Sequence, residues 1–512
     1  MIVRKISAGY CAPATLALLI GCTVGPDFVR PPAPDVTRYT QAPLAPTASA
    51  ANVLAGESQR LVDGEDIPAG WWQLFNSPAL NDLVERALRA NPELKSAEAG
   101  LTVAHENLLA QRGAYLPSVS AGFAASRSKT SAELAPTPSS GALLFNLFTP
   151  EVSVSFVPDV FGLNRRLVES LHAAEQQTRF ELTATYLALT ANVVVAALQE
   201  AGLREQIRMT DELIAATSNS LQVLRKQQAS GYASRLDVMA QEAQLAQVSA
   251  TLPPLLKQLA LQRNLLATLC GALAGDGVPE EFTLSQLRLP QELPLSVPAR
   301  LIEQRPDVRQ AEENLHIASA QIGVAVANRL PSFTITADIG ASALTLSGLT
   351  SNDAGFWDLG AQVAQPIFQG GALLHKERAA RAAYVEAQEQ YRHAVIAAFQ
   401  NVADTLAALQ HDAEALRAAS ASAHAAEATL DVVRAQQHSG YASFLQLLSA
   451  EQTYQTAVIA QAGAQTNRFT DTAALFQALG GGWWNRGDPR LGNLAGESPS
   501  PDSSSISSTS VW

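Results

Sequence analysis

The sequence predicts an α+β membrane protein built from two copies of one unit, each with two short strands and one very long helix. Residues 163–229 contain no proline and a single glycine, and residues 373–438 contain neither. Read as a continuous helix at about 1.5 Å per residue, each run would be roughly 100 Å long, too long for a compact domain to bury. Both runs end in nearly the same sequence, RKQQASGYAS at Arg225–Ser234 and RAQQHSGYAS at Arg434–Ser443. Such an internal duplication indicates one elongated body rather than several compact domains.

The N-terminus has the pattern of an export signal. In residues 1–21, two basic residues precede an apolar run that is too short to span a bilayer as a helix. The sequence LIGC at Leu19–Cys22 resembles the bacterial lipoprotein signal, in which the cysteine becomes the first mature residue. We therefore expect Cys22 to carry N-palmitoyl and S-diacylglycerol groups, whose buried CH₂ groups hold the chain to a membrane. An uncleaved anchor with an incidental cysteine is the alternative. Thr23 is not the aspartate that commonly retains lipoproteins at the inner membrane, so the resemblance implies the outer membrane.

The charge of the chain limits the class of partner it can bind, and its cysteine content limits the disulfides it can form. The chain has 35 basic and 47 acidic residues, a net charge of −12, which argues against a nucleic-acid partner. Of the three cysteines, Cys11 lies in the signal and Cys22 in the lipid site. Cys270 then stands alone, so the mature chain can form no internal disulfide. The apolar surroundings of Cys270 indicate a small buried core residue.

The elements of the first copy follow an extended segment. Residues 22–70, rich in proline, alanine and serine, are expected to be a lipid-anchored extended segment. The first copy is expected over residues 71–276. It should contain a helix at 78–111, strands at 118–126 and 152–156, the long helix at 163–229, and a helix at 236–269 that is interrupted at Pro253-Pro254.

The second copy, expected over residues 298–484, repeats this order. Asn91-Pro92-Glu93-Leu94 corresponds to Arg305-Pro306-Asp307-Val308, and strands are predicted at 333–337 and 359–363 before the second long helix. Residues 277–297, rich in proline and leucine, link the two copies. The polar, serine-rich residues 485–512 are expected to be a disordered tail.

The number of strands indicates an oligomer. Four strands per chain cannot close a barrel, an open sheet edge is not viable in lipid, and membrane barrels start at about eight strands. If the predicted strands meet lipid, the chain must therefore oligomerise. A trimer would supply about twelve strands, enough for an open interior.

Each long helix carries a heptad seam that indicates coiled-coil packing. In the first copy the seam is Leu203, Ile207, Thr210, Ile214, Thr217, Leu221 and Leu224, and in the second it is Asp412, Leu416, Ala419, Ala423, Ala426, Leu430 and Val433. The second seam has smaller side chains, which allow closer approach of the helices. It also has Asp412 where the first has a leucine.

Several motifs together resemble the TolC-like outer membrane factors, specifically the NodT-type lipoprotein channels of tripartite efflux systems. The motifs are CTVGPDF at Cys22–Phe28 followed by Arg30-Pro31, then Trp71-Trp72 with Phe75 and Pro78, the two Ser-Gly-Tyr turns, and ALGGGW at Ala478–Trp483. The resemblance implies a homotrimer with a twelve-stranded outer-membrane β-barrel continuous with a long periplasmic α-helical coiled-coil barrel. It also implies a periplasmic adaptor and an inner-membrane transporter of the RND type as partners, and a passive exit path for drugs and toxic compounds.

The resemblance places a resting gate near the tips of the helical pairs, with the second copy as the inner pair. The candidate constriction residues are Asp412, Leu416, Arg417 and His424. Acids and bases repeated three times around an axis can latch by charge pairing, and opening would break those pairs. The alternative is that Asp412 and Arg417 are ordinary solvated charges on a helix surface.

The two Ser-Gly-Tyr turns have a structural and a functional interpretation. They are Ser230-Gly231-Tyr232 and Ser439-Gly440-Tyr441. Glycine permits the positive φ that ends a helix, and the tyrosine can pack back onto that helix. The resemblance also places both turns at the periplasmic tip, where the adaptor binds, and we expect them to serve both roles.

Other functions have less support. The eight histidines are scattered, and no His-Glu-x-x-His motif, cysteine pair or phosphate-binding loop is present, so no enzyme and no cofactor are expected. A structural coiled-coil lipoprotein would share the lipid and the helices but would not need paired strands. Within the channel class, the alternatives are type I protein secretion and metal efflux. Only Met209 and Met239 remain in the mature chain, so no soft-metal relay is visible.

Overall fold

The computed structural model describes residues 23–41, 43–131, 133 and 143–486. The predicted signal peptide, the lipid site at Cys22 and residues 487–512 of the expected tail lie outside this part of the chain. The chain divides into two compact units. The first comprises the described parts of residues 1–31, 100–178 and 310–392, and the second those of 32–99, 179–309 and 393–512.

The described residues form eight α-helices and six strands. The helices are α1 (Pro78–Ala90), α2 (Pro92–Arg112), α3 (Leu163–Ala229), α4 (Arg235–Leu269), α5 (Pro298–Gln304), α6 (Pro306–Ala327), α7 (Ala372–His438) and α8 (Phe444–Ala478). The strands are β1 (Arg60–Asp63), β2 (Ser118–Lys129), β3 (Leu144–Phe156), β4 (Glu292–Leu295), β5 (Ser332–Ala341) and β6 (Gly355–Ala364). The two long helices are confirmed, each with 67 residues.

The first unit contains a four-stranded antiparallel sheet in the order β2-β3-β5-β6. All four predicted strands are present, and each is longer than predicted. In β3 the added residues are 144–151, which include Pro150. The central strands β3 and β5 come from different copies, so the duplicated hairpins join into one sheet.

Two short strands in the second unit had no signal in the sequence. Strand β1 lies in the segment expected to be extended, and β4 lies in the expected linker. They pair in parallel, with Arg60 opposite Glu292 and Asp63 opposite Leu295. Strands of four residues in proline-rich surroundings show no clear alternation, so only the tertiary pairing defines them.

The expected helix at 78–111 is two helices, because the chain breaks at Asn91. The residue before a proline is disfavoured in the helical region, and Pro92 begins α2. The Asn91 side chain accepts hydrogen bonds from the backbone N–H groups of Glu93 (2.8 Å) and Leu94 (3.1 Å), so it caps α2. Its amide also donates to the Leu269 carbonyl (2.9 Å), which ties the break to the end of α4.

The expected interruption at Pro253-Pro254 is absent, because α4 continues through both prolines. Each proline removes one backbone donor from the helix. Both prolines are exposed, and the Thr251 hydroxyl donates to the Val248 carbonyl (2.7 Å) just before them. Because both prolines lie on the exposed surface of α4, the chain remains helical despite the two lost backbone hydrogen bonds.

The predicted seams lie on the packed side of the long helices. Every seam residue is buried or half-buried. On α3, Leu221 and Leu224 pack with Val238 of α4, and on α7, Leu430 packs with Leu447 of α8. Each long helix therefore packs along its seam on the helix that follows its turn.

An aromatic cluster lies in the core of the second unit. Trp71 stacks on Phe476 with ring centroids 5.3 Å apart, and the Trp483 indole donates to the Gln304 carbonyl (2.7 Å). Gly482 has a φ of 70°, and a Cβ there would lie 2.5 Å from the Ile67 carbonyl oxygen. The WW and GGGW motifs therefore serve one packing site. Cys270 is buried, as predicted.

One helix, α3, contains a stretch long and apolar enough to cross a membrane by length and composition alone. Because 67% of that stretch is buried inside the protein, it fits a core helix.

Candidate functional site

The four-stranded sheet of the first unit has one apolar face. Cross-strand partners on this face include Ile339 with Trp357 and Ala337 with Leu359. The face continues across the sheet through Val119, Phe123, Phe148, Val152, Val154, Phe156, Ile335 and Val363. Trp357 is 77% exposed, so the other described residues leave this face uncovered.

The opposite face of the same sheet is polar. Ser153 of β3 lies opposite Asp338 of β5, which in turn lies opposite Asp358 of β6. Ser118, Ser120, Ser155, Thr334, Thr336 and Gln362 extend this face. A sheet with one apolar and one polar face suits a wall between lipid and water.

The sheet also has two open edges. Within the described residues, β2 and β6 each pair on one side only. Exposed strand edges carry unpaired backbone groups, which cannot remain unpaired in lipid. The sheet therefore presents both an apolar face and two edges that no other described strand pairs with.

The residues that follow Cys22 are held by Arg166 of α3. The Arg166 guanidinium, almost fully buried, donates to the carbonyls of Val24 (3.0 Å) and Gly25 (3.3 Å) and pairs with Asp27 (2.8 Å). A Cβ on Gly25 would lie 2.4 Å from the Cα of Gly323, so the two backbones touch. This explains the glycine and the aspartate of the GPDF motif, which the sequence alone left without a role.

A second set of contacts holds Phe28. The Phe28 ring stacks on His316 with centroids 4.2 Å apart, and His316 Nε2 lies 3.1 Å from Glu169. Burial opposes charge on this ring, but hydrogen bonds to Glu169 and Glu313 outweigh it and raise the pKa of His316 to about 9. The charged imidazole therefore holds Phe28 in place at neutral pH.

The four predicted gate residues occupy different environments on α7. Leu416 is 0% exposed and packs in the seam, so in this conformation it cannot line an opening. Arg417 and His424 are exposed. Asp412 is half-buried and lies about seven turns before the end of α7, well away from the turn at Gly440.

Asp412 faces α8 rather than Arg417. Its carboxyl hydrogen-bonds to that of Asp471, and burial together with this hydrogen bond and the Asp412 charge raises the pKa of Asp471 to about 7. Arg468 lies nearby, and its charge acts in the opposite direction. No sequence pattern indicated this carboxyl pair, because its members lie on separate helices.

Both Ser-Gly-Tyr turns have the predicted glycine conformation. Gly231 and Gly440 each have a φ of 79°. The expected packing of the tyrosines onto the helices is wrong, since Tyr232 is 87% and Tyr441 88% exposed. Capping does the stabilising instead: the side chains of Ser234 and Ser443 each accept a hydrogen bond from the backbone N–H three residues later. The tyrosines are thereby left free to meet another molecule.

No group of three or more His, Cys, Asp or Glu side chains comes together as a possible metal site within the described ranges.

Comparison with known proteins gives one consistent result. A family model described as outer membrane efflux protein matches residues 83–272 and 297–481. The chain is 30% identical over 483 residues to the toluene efflux pump outer membrane protein TtgF of Pseudomonas putida, covering 93% of this chain and 97% of that protein. It is 28% identical over 487 residues to the outer membrane protein OprJ of Pseudomonas aeruginosa, covering 94% and 97%.

Solved structures agree. The outer-membrane channel OprN superimposes with a TM-score of 0.80 at 26% identity, covering 90% of this chain and 100% of that one. The open state of the Neisseria gonorrhoeae MtrE outer membrane channel gives a TM-score of 0.77 at 25% identity, covering 91% and 99%. The chain is therefore an outer-membrane component of an efflux system, and it belongs to the outer membrane efflux protein family.

Proposed function

We propose that three copies of this chain form the exit duct of a tripartite efflux pump. The duct passively conducts small molecules, such as drugs and toxic compounds, from a periplasmic adaptor and an RND-type inner-membrane transporter to the exterior. The observation that carries this proposal is the sheet with an apolar face, a polar face and two open edges. The chain performs no chemistry of its own and needs no cofactor.

The strand directions support closure by a homotrimer. The order β2-β3-β5-β6 is antiparallel throughout, so β6 of one copy runs opposite to β2 of the next. Any whole number of copies can therefore close into an antiparallel barrel. Three copies supply about twelve strands, wide enough for a water-filled interior.

A lipid on Cys22 anchors each copy in the outer membrane. Two neighbouring features support this anchor: the signal-like residues 1–21, and the residues from Val24 to Phe28 that Arg166 and His316 hold in place. Acyl chains at this point reinforce the membrane attachment of the barrel.

The proposed adaptor contacts lie at the helical ends, whereas the proposed gate residues lie about four to seven turns before the end of α7. We assign the adaptor contacts to Ser230-Gly231-Tyr232 and Ser439-Gly440-Tyr441, because both turns present an exposed tyrosine. For the gate we retain Asp412, Arg417 and His424, with buried Leu416 supporting them through the seam. In single-channel records, Asp412→Ala and Arg417→Ala should each open the resting channel more often, and unchanged resting closure would remove these residues from the gate.

The test of the duct itself is conductance of the purified protein in a planar bilayer, together with its native mass. We expect a trimer with small, rarely opening currents. A non-conducting monomer would instead indicate a structural coiled-coil lipoprotein.

A further inference from the structure

An apolar cleft of about 360 Å³ lies in the first unit, where the sheet meets the helices. It lies beside the end of β3, the start of α3 and the start of β5. Its apolar lining includes Val157, Val160, Phe161, Leu163, Leu167 and Phe333. The rings of Phe161 and Phe333 lie 6.3 Å apart and form part of one wall.

The cleft has no free charge to attract a polar ligand. Asp159 is the one charged side chain among its lining residues. Both of its carboxylate oxygens are used, since they accept hydrogen bonds from the backbone N–H groups of Asn164 and Arg165, each 2.9 Å away. The carboxylate therefore caps α3, and the cleft suits an uncharged, apolar occupant.

The first described residues of the chain lie at the rim of this cleft. The Val24 N–H donates to the carbonyl of Phe161, a lining residue, at 3.2 Å. A Cβ on Gly162 would lie 2.8 Å from Cγ2 of Thr23, so Thr23 sits directly against the backbone between two lining residues. Cys22 is one residue further, and its Cα can be only about 3.8 Å from that of Thr23.

A polar group at the cleft also lacks a partner. The Gln111 amide donates to Asn164 Oδ1 (2.6 Å), which orients the Asn164 side chain. Asn164 Nδ2 is buried and has no acceptor among the described residues. The carbonyl oxygen of an acyl group would satisfy this donor.

We propose that one acyl chain carried by Cys22 lies in this cleft, with its hydrocarbon against Phe161, Leu167 and Phe333. The inference rests on the proposed lipidation of Cys22. It goes further, because it places one chain of the lipid in the protein rather than in the bilayer. The Arg166 contacts hold Val24 and Gly25 in place, and they thereby fix the point at which the acyl chain enters the cleft.

The test uses the full-length protein from cells supplied with a palmitate analogue that carries a diazirine. Intact mass first establishes whether Cys22 is acylated, and irradiation then cross-links the acyl chain to its neighbours. We expect adducts on peptides that contain residues 157–167 and 330–333, and their loss in Cys22→Ser. Leu167→Trp should fill the cleft and reduce these adducts several-fold. Leu374→Trp, on an α7 leucine outside the cleft lining, is the matched control and should leave them unchanged.

The possible outcomes distinguish the proposed acyl-binding cleft from the proposed lipid anchor at Cys22. An acylated chain whose adducts lie only on bilayer lipids or on the apolar face of the sheet, such as Trp357, would overturn the cleft and leave the anchor intact. Adducts only on other parts of a second copy of the chain would show that the acyl chain packs between copies rather than in the cleft, which also overturns the proposal. A chain without acyl groups would overturn both the anchor and the cleft, whereas the conductance measurement would still test the duct.

Discussion

Arg468 of α8 is a fully buried cation whose guanidinium, among the described residues, donates its hydrogen bonds to the N-terminal segment of the second unit. Its guanidinium donates to Gln59 Oε1 (2.8 Å) and to the carbonyl of Glu57 (3.1 Å). Hydrogen bonds from a charged donor contribute about 1.5–3 kcal/mol each, and acceptors left unpaired in the core add a penalty. Arg468→Met should therefore lower the thermal midpoint and speed protease cleavage near residues 45–59. Exposed Arg417→Met is the control, and an equal loss in both variants would contradict the assignment.

The carboxyl pair of Asp412 and Asp471 makes stability depend on pH. The pKa of Asp471 is raised to about 7, so the folded state keeps a proton that the unfolded state loses from about pH 4 upward. This group therefore lowers stability progressively between about pH 4 and pH 7, and by a constant amount above that range.

Asp471→Asn should remove this effect. The variant should match the wild type near pH 4 and exceed its thermal midpoint increasingly up to about pH 7. Asp431→Asn, at an exposed site on α7, should show no such trend. Parallel pH profiles for the wild type and Asp471→Asn would contradict the raised pKa of Asp471.

At the scale of elements, the prolines within α4 offer a direct test of helix tolerance. Pro254 is exposed and leaves the Ala250 carbonyl without its helical donor. Pro254→Ala restores that donor, and the helix propensities differ by about 3 kcal/mol in favour of alanine. We expect a higher thermal midpoint for the variant. No change would mean that the local helix already compensates for both prolines.

The turn between α7 and α8 tests the adaptor contact. Gly440 has a φ of 79°, and a side chain there would meet open space, so Gly440→Val strains the backbone without a clash. The left-handed conformation costs an L-residue roughly 1–2 kcal/mol. We expect the variant to remain a conducting trimer but to lose cross-linking to the adaptor that the wild type captures in cells.

The control for this turn is Gly463→Val within α8, where a side chain also meets open space and the backbone is helical. It should leave adaptor capture unchanged. Full capture by a folded Gly440→Val trimer would remove the turn from the interface.

The long helices, their seams and the four strands of the sheet could be predicted from local sequence patterns. Each of these elements shows its pattern, such as heptad spacing or alternation of apolar and polar residues, within its own segment. The break at Asn91 also had a local signal, the Asn-Pro dipeptide, which the amphipathic pattern around it obscured. Other contacts join distant parts of the chain. They are the β1-β4 pair, the Asp412-Asp471 contact and the hydrogen bond from Arg166 to the Val24 carbonyl. Such contacts depend on tertiary packing, and no single segment of sequence specifies them.

At the scale of the whole molecule, the open edges of the sheet allow a direct test of the proposed trimer. Strand β2 begins shortly after α2, and β6 ends shortly before α7. The apolar residues of both strands lie on the same face of the sheet. If β2 of one copy pairs with β6 of the next, the pairing register decides which β6 residue lies opposite a given β2 residue. In the correct register, two cysteines at opposite positions on that face are close enough to form a disulfide. The background is favourable, since Cys270 is buried and Cys22 is expected to be acylated.

We therefore expect one of three double variants, Val119→Cys with Leu359→Cys, Ala361→Cys or Val363→Cys, to form disulfides between chains on mild oxidation. Denaturing gels without reductant should then show linked dimers and trimers and no larger species, because three pairings close the ring. Each single variant should remain monomeric on the same gel, which excludes random oxidation. A ladder that continues past three chains would contradict a closed trimer. Failure of all three double variants in a protein whose native mass is trimeric would show that the edges do not pair directly at these positions, and that the chains associate through their helices alone.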